Sequence, residues 1–65
     1  MKDTKKTAQT IVLHTIPETA EILKVSEKTV RRMIEARELV AYRVGQQLRI
    51  NDNDLRAFLA AARMV

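Results

Sequence analysis

Cysteine is absent, which removes disulfides, thiolate nucleophiles and zinc sites built on thiolates. The single histidine, His14, cannot by itself build a metal site, a Cys/His pair or a Ser/His/Asp arrangement. One Tyr and one Phe are too few aromatics for a platform on which unpaired bases stack. Long apolar runs are missing as well. The longest, Phe58 to Ala62, falls far below the roughly 18 residues of a membrane span and the roughly 7 to 15 of a signal-peptide core. These absences predict a soluble, cytoplasmic chain with no membrane partner, no metal and no cofactor.

Length adds a further exclusion. A chain of 65 residues holds one small domain, and such a domain buries only about 60 per cent of the surface its unfolded form exposes. That leaves too little core to frame a deep, water-excluding pocket, so the expectation is a surface binder and not an enzyme. What is present fits this expectation. A hydrophobic content of 46% argues against disorder, and a formal charge of +4 with an isoelectric point near 10.0 favours an anionic partner, nucleic acid first.

The positive charge is unevenly placed. Residues 1–10 carry Lys2, Lys5 and Lys6 against Asp3 with no apolar periodicity, which predicts a flexible basic tail ahead of a domain over 11–65. Residues 11–23 and 50–65 are acidic or balanced. Between them Lys24, Lys28, Arg31, Arg32, Arg37, Arg43 and Arg49 outnumber Glu27, Glu35 and Glu38, giving +4 in one contiguous block.

Local signals place that block on structure. Thr15-Ile16-Pro17-Glu18 reads as a capping box with the only proline in the first turn, where its missing N–H costs nothing. Ile16, Ala20 and Leu23 then share one face of a short helix ending near Leu23. Lys24 and Val25 make a turn, and Ser26 caps a second helix with Thr29 at its third position. Val30, Met33 and Ile34 form the inward stripe of that helix, while Glu27, Lys28, Arg31, Arg32 and Glu35 face outward. Two short helices joined by so brief a turn match the helix-turn-helix arrangement.

After Ile34 the period changes to alternation. Leu39 to Ile50 predicts a β-hairpin around the only glycine, Gly45, with Arg43 and Arg49 on its strands and Gln46 and Gln47 at its tip. Asn51 and Asp54 open a third helix, whose stripe of Leu55, Phe58, Leu59 and Ala62 is expected to cover the core. A lone hairpin is marginal in water, so Ile11, Val12 and Leu13 are expected to pair with it. Tyr42 and Phe58 are expected in the core, and His14 as an ordinary exposed residue.

From Leu13 to Leu59 these features resemble the excisionase-type, MerR-like winged-helix DNA-binding domains. The likeness lies in Leu13 and Thr15, then Glu18, Ala20 and Leu23, then Val25 with Ser26 and Thr29 with Val30. It continues through Leu39 to Val44, Gly45, Arg49, Ile50, and Asp54 with Leu55. The resemblance implies a small α+β winged helix-turn-helix of three short helices and a hairpin wing. Its second helix would enter the major groove, with the wing against the adjacent minor groove or backbone. Two positions where the family usually carries glycine hold Lys24 and Arg37 here. The wing tip, often basic in the family, is neutral at Gln46 and Gln47.

The residues expected at the DNA are Ser26, Lys28, Thr29, Arg31, Arg32, Arg43, Gln46, Gln47 and Arg49. Each has a structural alternative. Ser26 and Thr29 serve the cap, Arg31 and Arg32 can pair with Glu35 and Glu27, and Asp52 or Asp54 can hold Arg49. The resemblance implies an excisionase, or recombination directionality factor, that bends attachment-site DNA and helps an integrase choose excision. Further copies of the chain would sit beside it on the nucleoid. The alternatives are a small MerR-like transcriptional regulator, or a protein-docking module such as an antirepressor or antitoxin.

Overall fold

The computed structural model describes residues 10–64, which form three helices and one antiparallel sheet. The elements run β1 (Leu13–His14), α1 (Ile16–Leu23), α2 (Glu27–Glu35), β2 (Tyr42–Val44), β3 (Gln47–Asn51) and α3 (Asp52–Ala61). This is the expected small α+β fold. The predicted basic tail lies outside the described residues apart from Thr10.

The capping box of α1 forms as the sequence indicates. The Glu18 N–H donates to Thr15 Oγ1 at 3.1 Å, and the Thr15 N–H donates to Glu18 Oε1 at 2.9 Å. One core residue of α1 has no apolar signature: Thr19 is fully buried, and its hydroxyl donates to the Thr15 carbonyl at 2.8 Å. That bond satisfies the one polar group which would otherwise oppose its burial.

Both helices of the pair end on a left-handed residue. Lys24 has φ 61° and Arg37 has φ 63°. The Val25 N–H reaches the Ala20 carbonyl at 3.0 Å and the Glu38 N–H reaches the Met33 carbonyl at 2.9 Å. These are the six-to-one closures that glycine usually permits. Here residues with a Cβ occupy the strained position, which costs roughly 1 to 2 kcal/mol each.

The sheet order is β1-β3-β2, with β3 central. Tyr42 lies opposite Arg49, Arg43 opposite Leu48 and Val44 opposite Gln47, around a two-residue turn in which Gly45 has φ 64°. The strands are shorter than the expected hairpin. Gln47 is therefore not at the tip: it opens β3, leaving Gly45 and Gln46 as the turn. Leu39 lies outside the strands, buried in the core. The extra strand begins two residues later than expected and ends one later, with Leu13 opposite Asn51 and His14 opposite Ile50, while Val12 accepts from the Asp52 N–H at 2.9 Å.

Ile16, Ala20, Val30, Leu39, Ile50 and Leu55 form the buried core, with Leu23, Met33, Ile34, Ala41, Leu48 and Phe58 packed around it. The α3 stripe is narrower than its spacing suggests. Leu55 is buried and Phe58 half-buried, but Leu59 and Ala62 are exposed, because α3 packs against β3 and little lies over its last turn. Asn51 caps α3 as expected, its Oδ1 accepting from the Asn53 N–H at 2.8 Å.

Tyr42 corrects a core expectation. Tyr42 lies on the short edge strand β2, whose three residues are all exposed, and 48% of its surface is open. The nearby Asp54 carboxylate raises its hydroxyl pKa, by charge first and by hydrogen bonding second. His14 corrects the opposite expectation: it is half-buried, with Nε2 2.9 Å from Asp52 Oδ1. Arg56 Nε donates to the other oxygen of Asp52 at 2.7 Å. This chain of three side chains fastens β1 to α3.

Candidate nucleic-acid interface

The N-terminus of α2 fixes the placement of its outer face. Ser26 Oγ accepts from the Thr29 N–H at 3.0 Å and donates to Thr29 Oγ1 at 2.9 Å, so both side chains serve the cap. With Val30 buried and Met33 and Ile34 turned inward, the 3.6-residue period sends Lys28 and Arg32 to the opposite side, one turn apart. Both are exposed, and Arg32 has no ion-pair partner among the described residues. Arg31 lies a quarter turn away. Its Nη1 is 3.8 Å from Glu27 Oε1, with 57% and 50% of the two side chains exposed. A pair so long and so wet is worth a few tenths of a kcal/mol at most and leaves the guanidinium available.

Arg31 faces a groove that the sequence reading did not anticipate as a unit. Its walls are Arg31 from α2, Arg43, Gln46, Gln47, Leu48 and Arg49 from the hairpin, and Thr15 to Pro17 at the start of α1. Five of the nine sequence-predicted residues meet there. Lys28 and Arg32 stand on the crest of α2 and are not among the residues that line it. Ser26 and Thr29 lie at the same helix's start, outside the groove lining.

Arg49 has neither of its expected carboxylate partners. Its Nη1 donates to the Leu48 carbonyl and its Nη2 to Gln47 Oε1, both at 2.9 Å. A guanidinium with two neutral acceptors keeps its full positive charge, whereas a carboxylate would have cancelled it. Asp52 is already committed to His14 and Arg56, and Asp54 stands beside Tyr42.

The participation of Thr15 to Pro17 in the groove wall was not legible as site chemistry, because capping was the only signal those residues carried. The His14, Asp52 and Arg56 chain was missed for a different reason: His14 is 38 residues from Asp52, and no local pattern links them. Among the described residues no His, Asp and Glu cluster could hold a metal ion, and no helix is long and apolar enough to cross a membrane.

Comparison with known proteins supports the helix-turn-helix fold. The chain is 45% identical over 51 residues to the uncharacterized protein YvgK of Bacillus subtilis (strain 168). That alignment takes in 78% of this chain but 17% of the Bacillus protein, so the chain spans about a sixth of the relative's length. No solved structure matches it. A family model for a helix-turn-helix domain matches residues 15–63, running from the cap of α1 to just past α3. Helix-turn-helix folds place their second helix in the DNA major groove, which supports double-stranded DNA as the ligand. With two capped helices joined by a three-residue turn and a model match over most of its length, the chain belongs to the helix-turn-helix domain family.

Proposed function

We propose that this protein is a sequence-preferring double-stranded DNA-binding protein of the excisionase type, with a MerR-like winged architecture. In this reading it bends attachment-site DNA and helps an integrase carry out excision. Residues 11–65 are the DNA-binding domain, and residues 1–10 add a basic extension that increases phosphate attraction. The observation that carries the reading is the meeting of Arg31, Arg43 and Arg49 in one groove beside the crest of α2. Those charges come from separate elements, and a run of merely solvated residues gives no reason for them to converge.

The roles divide by position. Lys28 and Arg32, on the crest, reach base edges in the major groove. Arg31, Arg43 and Arg49 take the flanking sugar-phosphate backbone, with Gln46 and Gln47 hydrogen-bonding beside them. Ser26 and Thr29 bring the first turn of α2 to a phosphate while keeping their capping bonds. Copies placed side by side on one site would extend the contact.

A gel shift on duplex DNA at two salt concentrations tests the binding. A phosphate-dominated interface loses affinity steeply between 50 and 200 mM salt. Absence of duplex binding at low salt would leave a protein-docking module, such as an antirepressor or antitoxin, in its place. A second reading is a small MerR-like transcriptional regulator that uses the same helix-turn-helix domain. Bending separates the two, since an excisionase must deform its site and a simple regulator need not.

A further inference from the structure

Arg49 is the wing cation whose guanidinium is held in place. Arginine carries several rotatable bonds and samples many rotamers on a free surface, so fixing it on binding costs entropy at that moment. In this fold that ordering is already present. The Leu48 carbonyl takes one terminal nitrogen and Gln47 Oε1 takes the other, each at 2.9 Å. Gln47 and Arg49 are two residues apart on β3, so their side chains emerge on the same face of the strand. The opposing residues Val44 and Tyr42 offer no carboxylate that would compete for the guanidinium. The Arg43 side chain, on the neighbouring strand, makes no hydrogen bond or ion pair among the described residues.

We propose that Gln47 is a positioning residue: it contributes to DNA affinity by holding Arg49 ready for a backbone phosphate, and it makes no contact with DNA that matters by itself. The wing therefore presents one preorganised phosphate contact at Arg49 and one adaptable contact at Arg43. The inference rests on the DNA-binding reading above and narrows the direct contact given there to Gln47. An amide is the suitable acceptor for this task, because it orients the guanidinium without neutralising it. A glutamate would orient it equally well and remove the charge that attracts the phosphate.

A double-mutant cycle on the full chain decides this, with a mixed-sequence 30-base-pair duplex as the probe and affinity measured across a salt series. Arg49→Ala should lower the slope of log affinity against log salt by about 0.9, the value of one phosphate contact. Gln47→Ala should weaken binding roughly 2- to 10-fold with Arg49 present, the range expected for freeing one rotamer-rich side chain. In the Arg49→Ala background the same change should have no effect. Gln47→Met keeps the length of the side chain and removes only the acceptor, so it should behave alike if the alanine variant folds poorly. Thermal melts establish that each variant is folded. Equal losses from the Gln47 variants in both backgrounds would show that Gln47 touches DNA directly and would overturn the proposal. No loss in either background would overturn it too. If the unmodified chain does not bind the duplex at low salt, the DNA-binding reading fails first, and the two failures are thereby distinguished.

Discussion

Lys24 and Arg37 show what a single residue can cost. Each sits at φ near 60° where a helix closes, a conformation in which Cβ crowds the following carbonyl. Glycine at either position removes the crowding, and the entropy it adds to the unfolded chain offsets part of the gain. Lys24→Gly and Arg37→Gly should each stabilise the fold by about 0.5 to 1 kcal/mol, read as a rise in melting temperature; a fall in both would contradict the left-handed assignment. The basic side chains have a reason of their own to stay, since both belong to the block from 24 to 49 that carries the net charge. DNA affinity should fall slightly in the same variants, and stability and binding must therefore be measured separately.

At the same scale, the two sides of α2 make different predictions. If Lys28 and Arg32 read bases as proposed, Lys28→Ala or Arg32→Ala should cost roughly 1 to 3 kcal/mol on a preferred site and far less on random duplex. Arg31→Ala, in the groove, should weaken binding evenly across sequences and reduce the salt slope by about one. Selection of preferred duplexes followed by binding titrations distinguishes the patterns. Unchanged affinity in all three variants would remove α2 as the recognition helix.

Elements are held together here by a few long-range bonds as well as by the core. The two residues of β1 reach α3 through His14 and Asp52, and Arg56 takes the second oxygen of the same carboxylate. These bonds, that to Arg56 first and that to His14 second, hold the Asp52 pKa below its usual value of 3.8. A carboxylate depressed in the folded state stabilises at all pH above its unfolded pKa, and that stabilisation is lost as pH falls through the folded value. Acidification from pH 5 towards pH 2 should therefore lower the melting temperature of the unmodified chain more than that of Asp52→Asn. Parallel acid limbs would show that the chain of contacts contributes nothing in solution. Tyr42 works in the other direction. Its raised pKa favours the protonated form in the fold, so this contribution is present below the usual 10.0 and is lost as pH rises beyond it.

For the whole molecule, the distribution of charge matters more than its total. The acidic residues of α1 and the balanced charges of α3 leave the groove side as the positive one, and in the proposed function this asymmetry would orient the chain on approach to DNA. One domain of this size buries roughly 600 to 1,000 Å² of its surface on DNA, which limits what a single copy can specify. Several copies side by side would make up the difference, at a bending cost of order 1 to 6 kcal/mol per site offset by added phosphate contacts. The expected outcome is a monomer by sedimentation without DNA, and cooperative, bent complexes in circular-permutation gel shifts on its own site. A stable dimer in solution that binds one palindrome without bending it would favour the regulator reading.

The sequence by itself determined the three helices, the caps of the first two, the glycine turn and the position of the basic block. All of these arise from interactions within a few residues: Thr15 with Glu18, Ser26 with Thr29, and the spacing of Val30, Met33 and Ile34. Family resemblance pointed to Lys24 and Arg37 as departures, and both have the backbone conformation that makes glycine usual there. Only the tertiary structure decided which strand lies in the middle of the sheet. The tertiary structure also left Tyr42 exposed on an edge strand, buried Thr19 in the core and drew His14 to Asp52. It also brought Arg31 to Arg43 and Arg49 across one groove. Distant segments meet where the shared core of Val30, Leu39 and Ile50 allows, and local periodicity carries no information about that meeting.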